Sequence, residues 1–138
     1  MTAKEYLLQI RAYEIRIRQI ETEIRRNEVA LLPGAIRYDR DRVQTTPEDK
    51  FAEIMASVGD LILEQRRKVA ELARLRDRII DEISQVKGIG RSQVLYMRYV
   101  AGMRYEAIAY ALNYSVDHVK RLHSRGLKEF ERRVIRKQ

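Results

Sequence analysis

The sequence predicts an all-α protein. A long antiparallel helical hairpin, coiled-coil-like and oligomerising, occupies residues 1–87, and a small three-helix helix-turn-helix domain occupies residues 88–138. Three observations carry this prediction. Apolar residues recur at spacings of three and four over two long stretches. Charged residues make up 35% of the chain, with two prolines and six glycines, so little interrupts a helix. Two glycines in "VKGIGRS" then end the second stretch, beyond which the pattern breaks into short pieces.

In the first stretch, Tyr6, Ile10, Tyr13, Ile17, Ile20, Ile24, Asn27 and Leu31 step by four and three, and seven of these eight positions are apolar. Pro33 and Gly34 in "LLPGA" stop this helix. The following "GAIRYDRDRVQTTPEDK" follows neither period and reads as a connecting loop. Toward its end Thr46 suits an N-cap, Pro47 the first helical position, and Glu48 and Asp49 the acid-favouring first turn.

The second helix repeats the stepping through Phe51, Met55, Val58, Ile62, Gln65, Val69, Leu72, Arg76, Ile79, Ile83 and Val86, with nine of eleven positions apolar. Ile54, Leu61, Leu75 and Ile80 widen the stripe beyond a two-stranded seam. At ~1.5 Å per residue this helix runs about 60 Å against about 43 Å for the first, so one shorter neighbour leaves apolar face uncovered. A second copy of the hairpin is the economical partner. The expected assembly is a homodimer or higher homo-oligomer, with Ile62, Val69, Leu72, Ile79 and Ile83 in the contact. Asn27, Gln65 and Arg76 interrupt the seams, at a solvent-facing edge or as register-setting residues.

Charge divides unevenly. Residues 1–87 hold 17 Lys and Arg against 16 Asp and Glu, while residues 88–138 hold 11 against 4, a net +7 of the chain's +8. Such a field on a small segment suits a polyanion, because phosphate neutralisation and counterion release supply most of the affinity for DNA. The chain has no cysteine, which excludes disulfides, zinc fingers and thiol chemistry and fits a reducing compartment. "MTAKEYLLQI" has no apolar stretch of signal-peptide length, and no run approaches the ~20 apolar residues that span a bilayer. A cytoplasmic protein with no membrane partner is expected.

The C-terminal segment reads as three short helices. Ser92 to Val100 comes first, Tyr105 to Leu112 second, and a third is capped by Ser115, with Val116 or Val119, Leu122, Leu127 and Phe130 facing inward. Small Ala109 allows a close crossing, and the turn "NYS" is short enough to force a steep angle, the geometry of a helix-turn-helix. Gly88-Ile89-Gly90 reads either as a plain hinge or as a hairpin like that of helix-hairpin-helix modules.

The stretch "VLYMRYVAGMRYEAIAYALNYSVDHVKRLHSRGLKEF" resembles region four of bacterial sigma factors, through an apolar helix, "RY", "EAIA", a short turn and "HVKRLHSRGLKEF". The whole chain is similar to the ArpU/RinA-like regulators of phage late transcription in Gram-positive bacteria, including its "YLLQI" and "DRVQTTPEDK". The resemblance implies a sequence-specific regulator of phage or prophage late genes in the host cytoplasm. It implies double-stranded DNA as partner, and host RNA polymerase as a candidate second one. Carried onto the third helix, it aligns Val116, Asp117, Lys120 and Arg121 with base-reading positions. Ser124, Arg125 and Lys128 align with the phosphate-facing flank.

Residue chemistry fits these roles. Lys120 and Arg121 can donate to guanine, Asp117 can accept from cytosine, and Val116 can meet a thymine methyl. Arg104 and Tyr105 open the preceding helix, where exposed amides and a cation suit phosphate, and His118 sits near a base or phosphate. His118 and His123 stand five apart with no ligand partner beside them, and no phosphate-cradling Gly-rich motif is present, so neither metal, cofactor nor enzyme activity is expected. Two alternatives remain: a phage small terminase subunit that binds packaging DNA, and an adaptor that docks on RNA polymerase.

Overall fold

The computed structural model describes residues 1–32 and 47–137, and these contain helices and no strand. The helices are α1 (Ala3–Ala30), α2 (Pro47–Ser84), α3 (Arg91–Leu95), α4 (Tyr105–Leu112) and α5 (Val116–Phe130). Wider, π-type turns continue α3 through Tyr96–Val100 and α5 through Glu131–Ile135. The all-helical expectation therefore holds. Pro33, Gly34, Thr46 and most of the expected loop lie outside the described residues.

A reciprocal cap starts α1. The Glu5 amide donates to Thr2 Oγ1 at 3.2 Å, and the Thr2 amide donates to Glu5 Oε2 at 3.1 Å. This satisfies backbone donors that the first turn leaves without partners. Pro47 opens α2, with Glu48 and Asp49 in the first turn as expected.

The chain forms two compact units, Ile15–Leu72 and Met1–Glu14 with Ala73–Gln138. In the first, α1 and α2 run antiparallel, and Ile17, Ile20, Ile24, Ile62 and Leu72 are buried. Two of the three residues that interrupt the seams meet each other. Asn27 Nδ2 donates to Gln65 Oε1 at 3.1 Å, and Gln65 Nε2 donates to Glu23 Oε2 at 3.3 Å. Sliding the helices by a turn would strand both amides, so the pair fixes register. Arg66 and Glu28 form an ion pair at the surface of this unit.

The second unit is built around Ala3, Leu7 and Ile10 of α1, Ile79 and Ile83 of α2, Val86, Leu95 of α3 and Tyr99 of its continuation, and Phe130 of α5 and Val134 of its continuation. Phe130 is fully buried, its ring centroid 5.7 Å from that of Tyr6. The Tyr6 hydroxyl donates to a Glu82 carboxylate oxygen at 2.6 Å. The division between the two compact units falls inside the two long helices. Gly88 and Gly90 take φ of +112° and +78° in the reversal between α2 and α3, a region that non-glycine residues avoid.

Burial bears on the expected contact between copies. Ile62, Leu72, Ile79 and Ile83 are buried within the single chain, and Val69 is half-buried. The first turns of α1 and the C-terminal helices cover the lower part of α2, where a lone hairpin would leave it bare. The apolar residues left exposed are others, among them Ile15, Val29, Leu61 and Leu63. Among the described residues, no helix is long and apolar enough to cross a membrane.

Candidate nucleic-acid interface

The turn between α4 and α5 is tight because its residues suit it. Asn113 takes the left-handed conformation at φ 57°, ψ 43°, which asparagine tolerates better than most residues, and ends α4. The Tyr114 amide donates to the Ala109 carbonyl at 2.9 Å. Ser115 then caps α5, accepting from the His118 amide at 3.1 Å.

Val94 from α3, Ile108 and Ala109 from α4, and Val119 and Leu122 from α5 form a small core behind the turn. Further along α5, Gly126 lies so close to α3 that an added Cβ would sit 3.2 Å from the Leu95 side chain and 3.4 Å from the Arg91 carbonyl oxygen. A larger residue would push α5 outward.

Burying Val119, Leu122, His123, Gly126 and Phe130 turns the opposite face of α5 to solvent. That face presents Asp117, Lys120, Arg121, Ser124, Arg125 and Lys128, all exposed. Arg104 is exposed at the N-cap of α4. None of Arg104, Lys120, Arg121, Arg125 and Lys128 has a carboxylate partner among the described residues. Arg132 and Arg133 differ, because both bind Glu129, at 2.8 Å and 2.5 Å. Arg132 and then Arg133 hold that carboxyl down at about 2.

Three of the expected site residues face partly inward. Val116 is half-buried against the core behind the turn. The His118 ring packs edge-on to Tyr114, centroids 4.8 Å apart. The Tyr105 ring lies under the Arg98 guanidinium at 4.3 Å and 6.0 Å from Lys120 Nζ, and its hydroxyl faces His123 Nδ1 at 3.4 Å. Arg98 Nη1 also donates to the Met103 carbonyl at 3.0 Å, so this cation holds the α3–α4 loop.

His123 is the buried polar residue of this core. Its Nε2 lies 2.8 Å from the Tyr99 hydroxyl. Burial, then the charges of Arg98 and Lys4, push the imidazole below its usual 6.5. Burial, with Tyr105 next, pushes the Tyr99 hydroxyl up to about 12, so it keeps its proton.

A pH dependence follows. The folded protein favours neutral His123, so this contribution to stability is full above the unfolded value of about 6.5 and is lost as pH falls toward the lower folded value. One proton gives at most about 1.4 kcal/mol per pH unit in that window. The urea midpoint should fall as the pH drops below about 6.5, and His123→Gln should flatten the fall. An equal fall in the variant would assign the effect to other groups.

Sequence reasoning did not single out Lys4, Arg11 or Gly126 as parts of this region. The heptad spacing of Lys4 and Arg11 and a glycine within a helix were the available signals. No curated protein and no solved structure matches the chain. Residues 90–130, which span α3, α4 and α5 with the turn between them, match the family model of Sigma-70, region 4.

Proposed function

We propose that the chain is a sequence-specific, DNA-binding transcription regulator of phage or prophage late genes, of the ArpU/RinA-like kind, working as a dimer or higher oligomer. The observation that carries this reading is the exposed face of α5. It sets Asp117, Lys120, Arg121, Ser124, Arg125 and Lys128 outward from a helix-turn-helix that matches sigma-70 region 4. The first turns of α5 would enter the major groove, with Asp117, Lys120 and Arg121 at base edges and Val116 touching a thymine methyl from its half-buried position. Ser124, Arg125 and Lys128 would hold the phosphates that set the docking angle, with Arg104, Tyr105 and His118 at the neighbouring strand.

Association of copies belongs to the same proposal, with Ile15, Val29, Leu61 and Leu63 among the apolar side chains left exposed on α1 and α2. Contact with host RNA polymerase belongs to the same proposal. Selection from random duplex DNA tests the reading. Enrichment of one defined site, with light scattering giving a dimer or small oligomer on it, is the expected result. Rings of eight or more copies would favour the terminase reading, and no enrichment would remove the regulator.

A further inference from the structure

The N-terminal helix carries cations on the same compact unit as the helix-turn-helix. Ala3 and Leu7 are buried in one core with Tyr99 and Phe130, which places the first two turns of α1 against α3 and α5. Lys4, between these two anchors, is exposed, yet its charge reaches His123 on α5. Arg11, one heptad on, is also exposed, and its guanidinium comes within 3.9 Å of where a Cβ on Gly102 would stand. Gly102 precedes Arg104 by two residues in the α3–α4 loop. Lys120 borders the same place from α5, through the Tyr105 ring that His123 faces.

Helix α1 and helix α5 therefore bring Lys4, Arg11 and Lys120 around the segment 102–105, to which Arg104 belongs. None of the four has a carboxylate partner among the described residues, whereas Arg66, Lys68, Arg76 and Arg78 on α2 all do. Of the carboxylates in the adjoining first turns, Glu5 is held by the Thr2 cap and Glu106 is exposed at the start of α4. Gathered cations repel one another unless an anion neutralises them, and a strip of them beside a groove-reading helix is placed for a polyanion.

We propose that Lys4 and Arg11 bind the DNA phosphate backbone, continuing from the first helix the phosphate contacts of Arg104 and α5. This rests on the DNA-binding reading and extends it to the segment whose balanced charge sets it apart from the basic C-terminal part. Helix α1 then both completes the core under α5 and lengthens the footprint on one strand.

The test measures affinity of the full chain for a random-sequence duplex and for a selected duplex by fluorescence anisotropy over a series of salt concentrations. Each lost phosphate contact lowers the slope of log affinity against log salt by about 0.9. Lys4→Ala with Arg11→Ala should therefore reduce the slope by about 2 on both duplexes, with the sequence preference unchanged. The charge-keeping pair Lys4→Arg with Arg11→Lys should retain the wild-type slope, and so should Arg67→Ala with Arg74→Ala, which removes two exposed charges from α2. An unchanged slope in the Lys4/Arg11 double alanine variant overturns the proposal while wild-type binding upholds the function. An equal drop in the α2 variant overturns it too, by assigning the effect to net charge. Absence of wild-type binding to either duplex overturns both.

Discussion

Arg121→Ala is expected to weaken binding to the selected duplex by about 1–3 kcal/mol, roughly five- to 140-fold, and to relax the preference at one base position. The side chain is exposed on the second turn of α5 and has no carboxylate partner among the described residues, so its loss leaves the fold intact. Arg125→Ala or Lys128→Ala should act differently, weakening selected and random duplexes by the same factor and lowering the salt slope by about 0.9 each. Competition binding with a set of single-base variants of the selected site separates the two behaviours. If Arg121→Ala weakens every duplex equally, Arg121 holds phosphate and base reading lies elsewhere on α5.

The second large effect concerns folding. Residues 88–138 alone would expose the faces of Leu95, Tyr99, Phe130 and Val134 that Ala3, Leu7, Ile10, Ile79 and Ile83 cover in the full chain. So small a segment, stripped of half its core, is expected to show no cooperative thermal transition by circular dichroism. In the full chain, Phe130→Ala should lower stability by about 3–5 kcal/mol, because a fully buried aromatic ring leaves a cavity that α1 and α3 cannot both close. A cooperative melt of the isolated segment at a temperature near that of the full chain would show that the helix-turn-helix folds without the hairpin ends.

These two expectations mark what the sequence carried and what it did not. The helix-turn-helix was legible because its signals are local: Ser115 at the cap, Asn113 at the left-handed turn, and the step from Val119 to Leu122 that turns Lys120 and Arg121 outward. The seams of α1 and α2 were legible for the same reason, since Ile17, Ile20, Ile24 and Ile62 repeat at helical spacing.

Which surface those seams meet was not legible. Periodicity shows that Ile79 and Ile83 lie on an apolar face, but the same stripe serves a second copy or the chain's own α3 and α5, and the choice rests on contacts distant in sequence. The seam break at Gln65 was readable as an interruption, while its pairing with Asn27 required the two helices to be set side by side. The inward turn of Tyr105 toward His123 likewise depends on two residues 18 apart in the chain. Residue type alone left that tyrosine equally suited to phosphate.

On the proposed function, α5 reads DNA sequence from its exposed face. The most direct test of this is the affinity ratio of the full chain for a selected duplex against a scrambled duplex of the same length and composition, measured by competition at physiological salt. A ratio on the order of a thousand or more is the predicted result, in the range of sequence-specific binding. Equal affinity for the two duplexes would contradict it.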